Sequence, residues 1–278
     1  MTAPNNTSRS EMSDQPILTV EAFRQQWGDC GFEADQLSKV FETAETYYSD
    51  LPYHNFQHAL ESLWDAQRLA DLCEANGEPV NRKALIGAAL FHDANYHKDH
   101  TNTEFEDIEF SNKEEYSAAI FESLAEELGF SEEETAIAKD SILATFPTAP
   151  TETLEEKITV RADLSNIFGD YETSFMAKND LLKKELAYAK SLANEELDEE
   201  VFAAMTITIL TTYIAKDLSL GDFDEDWSNQ AKANIYRFAQ SYALEHGLAT
   251  SEFMHGLGST VVRVMQKNMQ ASETDEQS

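Results

Sequence analysis

This chain of 278 residues is poor in several residue types. Its two cysteines, Cys30 and Cys73, lie far apart and form no CxxC pair. Neither a disulfide framework nor a thiolate zinc site is therefore indicated. Gly-rich phosphate loops, a GxSxG elbow and an HExxH string are absent, which argues against kinase, α/β-hydrolase and zincin chemistry. No run of 18 apolar residues occurs, so no membrane-spanning helix is expected. The first residues, Met1-Thr2-Ala3-Pro4-Asn5-Asn6, carry no basic start or apolar stretch, so no secretory signal is expected and the cytoplasm is the expected location. Basic residues are scarce, 20 against 52 acidic, for a net charge of -32. Such a surface repels polyphosphate backbones and excludes a nonspecific nucleic-acid polymer as partner. Its plain reading is a highly solvated surface.

The 42% hydrophobic content supports a packed core. Residues 1–16, rich in Ser, Asn, Thr and Pro, and residues 271–278 read as disordered tails around one domain, 17–270. Within it apolar residues recur at helical spacing over 21–27, 37–48, 59–73, 113–128, 132–145, 154–167, 171–192, 200–218, 228–246 and 251–269. Asn81 is a fitting N-cap for a further helix running into Phe91-His92-Asp93. Alternating strand patterns are nearly absent, glycine (10) and proline (6) are few, and no fixed repeat appears. The fold class predicted is all-α, a single domain of stacked helices. The one long irregular acidic stretch, 94–112, is expected to be a lid or binding loop.

Five of the seven histidines fall within residues 54–100. His58, the pair His92-Asp93 and Asp163 give the order H…HD…D, two imidazoles and two carboxylates able to close around one divalent ion. That donor set suits Mn, Mg, Fe, Co or Zn, with the carboxylates favouring the harder ions. His54 and His58, four apart, share a face if both are helical. Pro52 suits the first turn of such a helix.

These segments resemble the HD-domain metal-dependent phosphohydrolases. Tyr53-His54-Asn55-Phe56-Gln57-His58-Ala59 and Arg161-Ala162-Asp163-Leu164-Ser165-Asn166 are also similar to motifs of cyclic-nucleotide phosphodiesterases, which share that helical fold. The resemblance implies an HD-domain, phosphodiesterase-like helical bundle with metal ligands His58, His92, Asp93 and Asp163. In two-metal members the carboxylate matching Asp93 bridges both ions. His54 matches the position that protonates the leaving oxygen, and Asn55 the adjacent Asn. The implied activity is hydrolysis of a small phosphate ester, mono- or diester, by metal-activated water, with Asp93 and His54 as catalytic residues. The alternatives are a true cyclic-nucleotide phosphodiesterase, a non-catalytic metal-dependent sensing domain, and a di-iron oxygenase.

Lys113-Glu114-Glu115-Tyr116-Ser117-Ala118 resembles an Asn-Glu-x-x-Ser-Ala string after the HD pair in one group of predicted HD phosphohydrolases, where the Glu hydrogen-bonds a metal water or a ligand His. Here Lys113 stands at the Asn position. Glu114 is therefore a candidate to act behind the ligands, with a capping Glu on a solvated helix as the plainer reading. Many relatives also carry a His shortly after an Ile-x-x-Thr string. Here Ile142-Leu143-Ala144-Thr145-Phe146-Pro147-Thr148 has none, which favours a mononuclear site, or a second ion held by Asp93 and waters. Lys98, between His97 and His100, is a candidate to meet the substrate phosphate. Trp227 to Tyr242, opening Trp227-Ser228-Asn229-Gln230-Ala231-Lys232-Ala233-Asn234-Ile235-Tyr236, resembles the closing helix of the same group. Met254, Leu257, Val261 and Met265 give the last helix an apolar stripe, read as core packing with a homodimer interface as the alternative.

Overall fold

A computed structural model describes residues 18–94, 96, 110–224 and 226–245. Lys98, His97, His100, most of the 94–112 stretch, both tails and the 251–269 segment lie outside the described residues. Ten α-helices and no strand occur among the described residues: α1 Val20–Trp27, α2 Ala34–Glu45, α3 Phe56–Ala75, α4 Arg82–Phe91, α5 Lys113–Ala125, α6 Glu132–Leu143, α7 Leu154–Asp163, α8 Ala177–Leu192, α9 Glu199–Ile214 and α10 Asn229–Glu245.

Local chemistry starts most of these helices. Asn55, Asn81 and Asn112 each turn a side-chain oxygen to the backbone N–H three residues on, which satisfies an amide that the helix itself cannot. Ser131 with Glu134 and Thr153 with Glu156 close reciprocal capping boxes at α6 and α7. Two helices end or begin differently from the periodic reading. The 154–167 pattern breaks at Asp163 and continues as a 3₁₀ turn, Ser165–Phe168. The 171–192 pattern opens as a π-turn, Tyr171–Met176, before α8. Apolar spacing records which face is buried, not the pitch of the backbone that carries it.

Every residue of α4 from Ala84 to Phe91 is buried, as expected of a helix enclosed on all sides. It packs against α3, α6 and α7. Gly87 makes the close approach to α5 possible, because a Cβ there would stand 2.7 Å from Phe121 Cε2. A first apolar cluster gathers Phe23, Leu37, Leu63, Leu85, Leu90, Phe121 and Ile142. A second gathers Val160, Ile167, Phe175, Leu218, Ile235 and Phe238. α7 serves both, giving Ile158 and Ala162 to the first and Val160 to the second. Its last residue, Asp163, is thus set where the two clusters meet.

Candidate metal centre

Three helix ends converge on His58, His92, Asp93 and Asp163. His58 is in the first turn of α3, His92 and Asp93 follow directly on α4, and Asp163 closes α7. The ends of α4 and α7 bring carbonyl-negative dipole ends toward this place, which favours a cation there.

The donor atoms are close. His58 Nε2 lies 3.0 Å from Asp163 Oδ1, 3.4 Å from His92 Nε2 and 3.6 Å from Asp93 Oδ2. His92 Nε2 lies 3.1 Å from Asp93 Oδ2 and 3.4 Å from Asp163 Oδ1. All four groups offer a ligand atom within 4.8 Å of the others. Ligands about 2.0–2.2 Å from one ion and roughly 90–110° apart stand about 3.0–3.6 Å from each other, so the spacing fits a single ion. The tautomer fits too. His92 Nδ1 donates to the Ala89 carbonyl at 2.9 Å, which turns the Nε2 lone pair inward. His92 is fully buried, Asp93 and His58 nearly so. Burial opposes a charge on His92, yet Asp93 and Asp163 push its pKa up to about 10. Against the same burial, His92 and His58 hold the Asp163 carboxyl well below its ordinary range. The cluster is built to hold positive charge.

His54 differs from the sequence reading in one respect. α3 starts at Phe56 with Asn55 as its cap, so Pro52 and His54 precede the helix. The Asn55 cap on His58 N–H, at 3.1 Å, sets that start. His54 is instead held from α8. Its Nδ1 donates to Glu185 Oε1 at 2.5 Å, and the Tyr53 and His54 backbone N–H groups both donate to Oε2 at 2.9 Å. Glu185 is buried and was not found from sequence. It lies in a lysine-rich amphipathic helix with no motif around it. The ring of His54 stacks on Tyr96, centroids 3.6 Å apart, and its centroid is 6.1 Å from that of His58. Burial pushes the His54 pKa down, while Asp93 and Glu185 oppose it. With Nδ1 engaged, Nε2 is the ring nitrogen left for proton transfer.

Asn55 spends its side chain on structure: Oδ1 caps α3 and Nδ2 donates to the Leu51 carbonyl at 2.6 Å. Glu114 is buried, not on a solvated face, and its Oε1 lies 3.3 Å from Lys113 Nζ. The capping role at α5 falls to the next residue, whose Oε2 accepts from Ser111 N–H at 2.8 Å. Lys113 Nζ pairs with Asp93 Oδ1. Ser117 Oγ donates to the Ala94 carbonyl at 3.1 Å, tying α5 to the residue after the His-Asp pair.

No protein-family model matches the chain, and no curated protein matches it. Solved structures do. The phosphodiesterase domain of the RhoPDE fusion protein from the choanoflagellate Salpingoeca rosetta aligns with a TM-score of 0.58 at 20% identity, over 81% of this chain and 91% of that one. A second structure, of the phosphodiesterase domain of Salpingoeca rosetta rhodopsin phosphodiesterase, aligns with a TM-score of 0.55 at 20% identity, over 90% and 89%. The fold is thus the all-α fold of phosphodiesterase domains, and its His/Asp cluster fits an HD-type metal site. Among the described residues no helix is long and apolar enough to cross a membrane.

Proposed function

We propose that this protein is a metal-dependent phosphoric ester hydrolase of the HD type, acting on a small phosphate ester. The observation that carries this reading is the juxtaposition of two units. One is the four-donor cluster of His58, His92, Asp93 and Asp163. The other is the buried His54–Glu185 pair beside it. The first suits a divalent ion and the second suits a proton donor.

An ion held by those four residues would supply Lewis acidity toward a phosphoryl oxygen and acidify a water. The remaining work falls to the chain itself. Asp93 and Asp163 would neutralise the charge of such an ion, and the Ala89 carbonyl fixes which nitrogen His92 presents. Glu185 holds the His54 ring, offsets the desolvation that opposes its protonated form, and leaves Nε2 to give a proton to the leaving oxygen. The first turn of α3 brings His58 to Asp163 and the first residue of α5 brings Lys113 to Asp93, and N-terminal helix ends attract phosphate.

A phosphodiester is the substrate class we favour, with a cyclic nucleotide as the candidate suggested by the Tyr53–Ala59 and Arg161–Asn166 strings; the similar solved structures are themselves phosphodiesterase domains. The purified protein with Mn(II) should be assayed against nucleoside monophosphates, cyclic nucleotides and a bis-aryl phosphate, with Asp93→Ala as control. Turnover of a diester, lost in Asp93→Ala, supports the reading. Bound metal with no turnover on any of them would favour a sensing domain instead.

A further inference from the structure

The two oxygens of Asp93 face different cations. Oδ2 belongs to the donor cluster, 3.1 Å from His92 Nε2. Oδ1 is taken by the ammonium of Lys113. A second metal ion would need that outer oxygen. We propose that Lys113 takes the place of a second ion, so that the centre holds one divalent metal and draws its other positive charge from the chain. The proposal rests on the hydrolase reading and deepens it.

Four features support this. Lys113 is the first residue of α5, an end that repels cations. Its place there is stabilised by Asp93 and by Glu114 Oε1 at 3.3 Å, both buried acids. The ammonium also lies 4.9 Å from the Tyr96 ring centroid, on the ring that stacks with His54. Cation, ring and imidazole thus line one side of the centre. Next, the described residues offer a single grouping of three or more metal-type donors, and its four members already account for one ion. The end of α6, the segment without a histidine, spends its carbonyls elsewhere. Tyr213 Oη donates to the Thr145 oxygen, and Lys216 Nζ to those of Ala144 and Phe146. Finally, charge closes with one ion. Among the four donors Asp93 and Asp163 are the two acids, which one dication balances, and the Lys113 ammonium stands against the outer Asp93 oxygen and Glu114.

Lys113 Nζ stands one carboxylate's width from the ligand atoms, so a phosphoryl group bound at the centre would lie within its field. An ammonium there opposes the charge that builds on phosphoryl oxygens, and no bond to it need form or break.

The test counts metal and measures turnover separately. Wild type, Lys113→Ala and Lys113→Arg are loaded with Mn(II), freed of excess, and examined by elemental analysis and electron paramagnetic resonance. The wild type should hold one Mn(II) per chain with an uncoupled six-line spectrum. With bis-p-nitrophenyl phosphate, Lys113→Ala should lose on the order of tenfold to a thousandfold in kcat. Lys113→Arg, which keeps the charge, should recover part of it and still hold one ion. Two coupled ions in the wild type would overturn the proposal, and so would full turnover in a folded Lys113→Ala protein. Absence of any bound Mn(II) would overturn the metal centre and this inference with it. One ion without turnover in the wild type would count against the hydrolase reading while leaving Lys113 in the second ion's place.

Discussion

Glu185 Oε1 lies 2.5 Å from His54 Nδ1, across 131 residues of sequence, and its other oxygen takes two successive backbone N–H groups. One carboxylate therefore fixes both the ring of His54 and the strand of chain leading into α3. That arrangement separates a proton donor from the metal ligands, and the two can be separated by experiment. His54→Ala should lower kcat by roughly a hundredfold to ten-thousandfold. Metal content should remain that of the wild type. Glu185→Gln should lower kcat less, because an amide oxygen still orients the ring but cannot offset its charge. Loss of metal in His54→Ala would instead make His54 a ligand.

The same pair gives a pH dependence of stability. Burial raises the Glu185 carboxyl, but His54 and the Tyr53 and His54 amides outweigh it and hold the pKa below its ordinary 4.5. A folded-state pKa below the unfolded one stabilises the fold above the unfolded value, and that stability is lost as pH falls through the folded pKa. Wild type should therefore exceed Glu185→Gln in melting temperature at pH 6–7, and the gap should narrow below about pH 4.5. The loss near neutrality should be about 1–3 kcal/mol, since an amide N–H in place of Oε2 leaves two buried donors without an acceptor. A gap that stays constant from pH 7 to pH 3.5 would show that the carboxylate's charge is not what stabilises this contact.

Metal removal should destabilise the protein through the His58–Asp163 cluster. One buried and one half-buried acid and two imidazoles within 4.8 Å of one another gain from a dication that the unfolded chain cannot hold. At a hundredfold excess over Kd, binding adds about 2.7 kcal/mol, on the order of 5–10 °C in melting temperature for a domain this large. Chelation should lower the wild-type melt by that amount. It should leave Asp93→Ala unmoved, and an equal shift in both would place the metal elsewhere.

Much of the centre was legible because its residue types are chemically restrictive. His and Asp in the order His58, His92-Asp93, Asp163 have few other uses on helix ends, and the structure brings all four together. Asn81 was legible as a cap for the same reason: a short amide before an apolar run has one low-energy use. Pro52 misled, since it and Asn55 are rival start signals. The Asn55 hydrogen bond to His58 N–H sets the start, placing His54 outside the helix. Glu185 was hidden because its partner is 131 residues away and its own helix, Lys183-Lys184-Glu185-Leu186, reads as an ordinary charged face. Lys113 was visible only as a departure from a motif. Its use depends on Asp93 lying opposite, and that is set by how α4 and α5 pack.

That packing can itself be tested at Gly87. A methyl group there would stand 2.7 Å from Phe121 Cε2 and 3.1 Å from Phe130 Cε1. Phe121 cannot simply turn away. It is fully buried, with Phe91 and Phe130 rings at 5.5 and 5.0 Å. Overpacking of this kind costs about 1–3 kcal/mol, against roughly 0.5–1 kcal/mol that alanine returns in a helix. Gly87→Ala should therefore lower stability on balance. Because α4 leads directly into His92-Asp93 and α5 begins with Lys113, the forced separation should also weaken Mn(II) binding, read by titration, before it unfolds the protein. Unchanged Mn(II) affinity alongside a lowered melting temperature would mean that the ligand geometry is set by α3 and α7, with the α4–α5 contact serving stability alone.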